Sequence, residues 1–322
     1  NAYYLGNDEN PYLVLVKAKD TEITSCELHS NTKLIYREAF KNCSLLESVT
    51  LNSSLTVISW SAFSGCSSLT SIEIPDSVVE MSGSCFSGCS SLTSIKLPAN
   101  ITTIGSGMFN ECSSLTDIVI PDSVTVIGSS AFSYCGFTSF VIPDSIKRIE
   151  ERAFAGCKSL ESIKLGKGVE YIGTEVFDDC EILASIEVDN DNAYFKSIDG
   201  NLYSKDGTKL IKYAVGKTET SFEIPNHVTT IGGAFYKSNL TEIIIPDSVV
   251  SIEEYAFSLC DDLTTIIIPS SVVRIEQYAF LGCYDIIIYC ELERAPITWS
   301  TYWNVYSGIS YYCKVVWGYT GE

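Results

Sequence analysis

The sequence predicts a β-rich solenoid of the α/β type, a coil of short units stacked on a parallel sheet. Three observations predict it. A motif phenylalanine recurs at Phe40, Phe63, Phe86, Phe109, Phe132, Phe154, Phe177, Phe235, Phe257 and Phe280, at spacings of 23, 23, 23, 23, 22, 23, 58, 22 and 23. Most units carry two apolar, isoleucine-type residues at I-x-I spacing followed by proline, the period of a strand with one buried face and a residue that ends it. A cysteine stands three residues after most of these phenylalanines. A fixed period of this length is the signature of a repeat architecture, in which one unit cannot bury its own apolar face and stacked units can.

The unit ending at Cys89 justifies each element. Leu69, Ile72 and Ile74 form the strand, and Pro75 stops it because proline cannot donate to a ladder. Val78 and Met81 supply a second apolar pair in an extended or turn-like segment. Ser84–Cys89 reads as one short helical turn with Phe86 and Cys89 on its inner side. Strands about 4.8 Å apart would merge the apolar columns into one core, and ten coils would make a rod roughly 50 Å long.

In chain order, residues 1–31 form an N-terminal hairpin or cap. Residues 32–188 are repeats. Residues 189–220 are an inserted β-meander, with strands at Tyr194–Ile198, Asn201–Ser204 and Lys209–Ala214 and turns at Asp199-Gly200 and Asp206-Gly207. Repeats resume over 221–289, and residues 290–322 form a cap, the whole making one continuous solenoid domain. The N-terminal stretch resembles residues 202–225, so the expectation is that Asn1 falls inside a copy of the inserted module, with a longer parent upstream. The meander is expected to project from the solenoid edge or to cap it, either as a spacer or as a binding element.

The pattern LxxIxIPxSVxxIGxxAFxxC, running from about Ile23 to Cys290, resembles the BspA-type leucine-rich repeat of surface proteins from anaerobic bacteria and some protists. The resemblance implies a right-handed leucine-rich-repeat solenoid with a concave parallel sheet. It also implies secretion and a binding or adhesive role without catalysis, hence an extracellular or cell-surface location and a protein ligand on a host or microbial surface. A structural spacer is the alternative, and a carbohydrate-binding or carbohydrate-active solenoid a further one. The W-x-x-x-W of Trp299 and Trp303 resembles the same family's C-terminal cap, which must cover the open end of the core; an aromatic platform for sugars is the rival reading.

Composition narrows the partners. A formal net charge of −19 opposes binding to nucleic acid and to anionic membrane, both of which reward clustered Lys and Arg. No stretch has the apolar length to span a bilayer. The two histidines, His29 and His227, stand at non-equivalent places, and the motifs of common nucleotide, metalloprotease and nucleophile sites do not occur. No catalytic residue, cofactor or metal site is therefore assigned, and the chain is expected to be a monomer. Asp189–Asn192 fails the calcium-loop template and reads as a turn.

The thirteen cysteines fall mostly in the column after the phenylalanine, which reads as buried free thiols acting as small hydrophobes. Cys85 and Cys89 make a CxxxC pair without flanking ligands, more simply core than metal site. Cys290 and Cys313 bracket the cap, and spacing alone leaves both a disulfide and two free thiols open. The outward residue between the strand's two apolar positions runs Glu73, Lys96, Val119, Val141, Lys164, Glu187, Glu223, Ile244 and Ile267. Val119 with Val141, and Ile244 with Ile267, would expose aliphatic side chains from neighbouring coils, a candidate protein-contact patch.

Overall fold

The protein is described by a computed structural model covering residues 1–307 and 311–321. It divides into two compact units, residues 1–160 with 165–180, and 161–164 with 181–322. Each is a parallel β-solenoid of stacked coils, and no helix occurs among the described residues.

The coil ending at Cys89 shows how sequence becomes structure. Ser71–Glu73 is a strand whose Ile72 points into the core, with Leu69 and Ile74 buried on either side. Pro75 ends it, and its carbonyl accepts the Val78 N–H at 2.9 Å to close a tight turn. The same bond follows Pro121, Pro143, Pro225, Pro246 and Pro269. Val78 is buried, and Glu80–Met81 forms a second, two-residue strand.

The chain from Ser82 to Cys89 departs from the predicted helical turn. Ser84 (φ 55°) and Gly88 (φ 74°) are left-handed, so no helix can continue through them. Backbone bonds alternate instead. The amides of Ser84, Phe86 and Gly88 donate to the next coil, at Ser106, Met108 and Asn110, while those of Ser87 and Cys89 donate three residues back within their own coil. The arrangement repeats in the coils around Phe40, Phe63, Phe109, Phe132 and Phe154. Fourteen non-glycine residues hold positive φ in these turns, from Glu38 to Tyr278. Each left-handed placement costs roughly 1–2 kcal/mol, so the turns persist only because the neighbouring coil fixes them.

The phenylalanines form the predicted file. In the first unit Phe40, Phe63, Phe86, Phe109 and Phe132 stack nearly parallel, with ring centroids 5.1 to 5.8 Å apart, and Phe154 and Phe177 continue the file. Each cysteine lies beside it with a defined partner. The Cys66, Cys89, Cys112, Cys135, Cys157 and Cys180 thiols donate to the carbonyl of the previous coil's phenylalanine at 3.1–3.2 Å. That carbonyl already accepts its own coil's cysteine N–H, so the thiol fills its second lone pair. The column is therefore a weak hydrogen-bonded ladder as well as apolar filler.

The inserted meander is present but does not project. Phe195–Ile198, Asn201–Ser204 and Lys209–Lys212 pair antiparallel, and Lys209–Lys212 then runs parallel to Thr230–Ile231 at the head of a continuing ladder. Tyr213 takes the place of a column phenylalanine: it is buried, lies 5.5 Å from Phe235, and its N–H donates to the Ala234 carbonyl. The insertion thus contains a coil of its own. Asp189 Oδ1 and Asn192 Oδ1 accept backbone amides two and three residues ahead, which makes Asp189–Asn192 a pair of turns. The N-terminal module matches, since Ala2–Leu5 pairs antiparallel with Val14–Ala18, which runs parallel to Leu34–Ile35.

The cap also keeps the coil's plan. Trp303 closes the aromatic file edge-on to Phe280 at 5.9 Å, and Tyr302 and Tyr306 carbonyls accept the Tyr278 and Gly282 amides. Trp299 and Trp303 are 6% and 5% exposed, too deep for a sugar platform. Trp299 donates through Nε1 to the Val272 carbonyl at 3.2 Å. The Cys290–Cys313 bridge that the sequence left open is not formed: both are buried free thiols. Cys313 occupies the cysteine column of this last coil, its thiol 3.7 Å from the Cys283 carbonyl, while Cys290 lies within the strand Ile287–Cys290.

Truncating a column ring should open a cavity that both neighbouring coils feel. Phe86→Ala should lower the unfolding free energy by about 3–5 kcal/mol, measured by chemical denaturation, whereas Val79→Ala, on the exposed surface, should change it by less than ~0.5 kcal/mol.

Candidate functional site

The two faces of each strand are set by its two-residue period, and parallel pairing aligns equivalent residues in rows. Ser71–Glu73 pairs with Ser94–Lys96 in register, Glu73 opposite Lys96, and their side chains join in an exposed ion pair at 2.7 Å. So exposed a pair is screened by water and adds little to stability. It shows what the row does by default: it solvates.

Val119 and Val141 break that default. They are 78% and 67% exposed, the outward position predicted for them. Val141 stands on the strand Ser139–Val141, whereas Thr116–Ile120 carries no strand at all. In the second unit Ile244 and Ile267 are 47% and 43% exposed. Two residues missed in the sequence extend this row: Tyr289 is in register with Ile267, and Val316 with Tyr289, along the parallel strands Thr265–Ile268, Ile287–Cys290 and Lys314–Trp317. Tyr319 packs against Tyr289 at 4.8 Å. The signal for Tyr289 was available, because Ile286-x-Ile288 repeats the I-x-I spacing, but the proline that marks other strand ends is missing there. Four apolar side chains thus stand together on an otherwise charged or polar face, which suits contact with another surface.

The buried thiols are held protonated. Burial pushes the thiols of Cys85, Cys112, Cys290 and Cys313 up to about 12 and that of Cys283 to about 11. A thiol held protonated is neither nucleophile nor metal ligand at neutral pH. Cys85 and Cys89 donate to different carbonyls, Ser82 and Phe63, and so do not act as a pair. Among the described residues no three His, Cys, Asp or Glu side chains are grouped to hold a metal ion. His227 is exposed at a turn, and His29 stacks on Tyr12 at 3.8 Å. No helix of the described residues is long and apolar enough to cross a membrane.

The thiol column predicts an alkaline limit. In the unfolded chain these groups lose their protons near 9.0, whereas folded Cys85 and Cys112 hold theirs to about 12. Raising the pH above 9 therefore favours the unfolded state, and the stabilisation present below that pH should fall away between pH 9 and 12. Denaturation midpoints across this range check it, and native protein at pH 8 should leave the thiols unmodified by a disulfide reagent until denaturant is added.

Comparison with known proteins places this geometry. The BspA type Leucine rich repeat region matches six copies over residues 18–138, 125–213 and 208–292. No curated protein matches the chain. A leucine rich cell surface protein from Faecalibacterium prausnitzii A2-165 is similar in structure, with 26% identity, a TM-score of 0.65, and coverage of 97% of this chain and 84% of that one. The pneumococcal vaccine antigen PcpA shares the fold at 22% identity and a TM-score of 0.50, over 89% of this chain and 62% of its own. With the stacked coils, the phenylalanine and cysteine columns and the matched repeats taken together, the chain belongs to the BspA-type leucine-rich-repeat family.

Proposed function

We propose that the chain is a non-catalytic binding module, secreted or displayed on a cell surface, that works as a monomer and adheres to a protein ligand on a host or microbial surface. The observation that carries this reading is the outward row, where Val119 and Val141, and Ile244 and Ile267, stand exposed amid charged neighbours. A soluble repeat has no folding need for aliphatic side chains there, since Glu73, Lys96 and Glu223 serve equivalent positions equally well. The similar protein from Faecalibacterium prausnitzii is described as a leucine rich cell surface protein, which supports the location.

The test is binding of the purified chain to host and microbial surface-protein preparations by biolayer interferometry. Two double variants, Val119→Lys with Val141→Lys and Ile244→Lys with Ile267→Lys, should each fold normally, because the side chains are exposed. At least one should weaken binding by about tenfold or more, as loss of an apolar anchor does. Undiminished binding by both would sink the contact row, and no binding by the wild-type chain would favour the spacer.

A further inference from the structure

We propose that the second unit contains a binding site for a small carboxylated sugar, between the strand row and the inserted meander. A cavity of about 370 Å³ is lined there by Lys164, Lys196 and Lys205, with Glu187, Asp189 and Ser197 also on its wall. Lys164 comes from the strand Ser162–Leu165 and Glu187 from Ser185–Val188, held side by side by the Ala184 N–H bond to the Glu161 carbonyl. Lys196 comes from the meander strand Phe195–Ile198, and Lys205 from the turn after Asn201–Ser204.

The charges are what make this cavity unusual. The chain has 40 acidic residues against 21 lysines and arginines, so a lysine has carboxylates in plenty. Lys96, Lys147 and Lys209 take them, in ion pairs of 2.7 to 2.9 Å. Lys164 and Lys205 form no ion pair among the described residues, whereas the Lys196 ammonium lies beside Gly207, where its charge adds to the Ser204 hydrogen bond in holding the Asp206 carboxyl down. The contrast is sharpest for Lys164. It sits beside Glu187 in the row as Lys96 sits beside Glu73, yet only the Lys96 pair closes. Lys205 is steadied by its bond to the Asn190 carbonyl at 3.1 Å, which leaves two of its three donors free.

The acceptors fix the ligand class. Asp189 Oδ1 is occupied by the Asp191 amide, but Glu187 is exposed and makes no ion pair. The ammonium groups of Lys164 and Lys205 call for an anion, and the free Glu187 carboxylate beside them calls for hydroxyl donors on the same molecule. A carboxylated sugar supplies both, and one ring fits the volume. This site uses charged residues of one unit only and does not depend on the apolar row.

The experiment is isothermal titration of the full chain with glucuronate, glucose and inorganic sulfate. Glucuronate should bind, more weakly as salt rises, and glucose should not. Lys164→Ala and Lys205→Ala should each lower glucuronate affinity by about tenfold, while Lys41→Ala, in the other unit and paired with Glu38, leaves it unchanged, and circular dichroism checks that every variant is folded. Glu187→Gln should weaken glucuronate and leave sulfate unaffected. Failure of glucuronate to bind, or wild-type affinity in the lysine variants, would overturn the site. Sulfate binding as tightly as glucuronate would overturn the sugar assignment. Retention of protein-surface binding in these variants would leave the function proposed above intact.

Discussion

The fold depends on one constraint: in the turn of each coil, successive backbone amides must donate alternately inward and onward. The amides of Ser61, Phe63 and Gly65 reach the next coil's Gly83, Cys85 and Ser87, while those of Ala62, Ser64 and Cys66 close back on their own coil. This alternation needs left-handed residues at fixed places, and side chains as unlike as Glu38, Ser84, Arg152 and Tyr278 accept them. A single coil could not sustain that strain. A stack can, because each strained turn is tied to the neighbouring coil by several bonds at once. The positions of the phenylalanine and the cysteine follow from it. The ring enters the core from a residue whose amide points onward, and the thiol three places later returns to the previous coil's carbonyl.

With the coil fixed by its turns, the strands carry less of the load than a sheet usually does. The three-residue strands pair only in short groups, such as Ser25–Glu27 with Ser48–Thr50 and Ser71–Glu73 with Ser94–Lys96. The two-residue strands form the longer ladders, for example Leu34–Ile35 with Val57–Ile58 and Glu80–Met81. The outward residue of the longer strands is consequently free to change without loss of the coil. That freedom is why the row can read Glu and Lys in some coils, valine and isoleucine in others.

Much of this was legible in the sequence. The period, the proline turn, the phenylalanine file, the buried thiols and the outward face of Val119 and Ile244 all follow from spacing and the two periodicities of strand and turn. The helical turn was misread because a run such as Ser84–Cys89 has ordinary helical composition, and nothing in serine or glutamate announces a positive φ. Tyr213 and Trp303 were hidden as members of the aromatic file because no Ala-Phe-x-x-Cys surrounds them; only their stacking on Phe235 and Phe280 reveals the role. The partner of the thiol column was hidden too, since a carbonyl 26 residues away leaves no mark in composition. Lys164, Lys196 and Lys205 come from three elements, and only the folding of the meander brings them to one cavity.

The central claim is that the coils are held by their turns, and residue-resolved amide hydrogen exchange tests it most directly. The amides of Phe63, Phe86 and Phe109, with those of Gly65, Gly88 and Glu111, donate between coils. The account predicts that they exchange only with global unfolding of their unit, as slowly as the amides of the short strands. Exchange of those turn amides at the rate of an exposed loop, with the strands still protected, would contradict it.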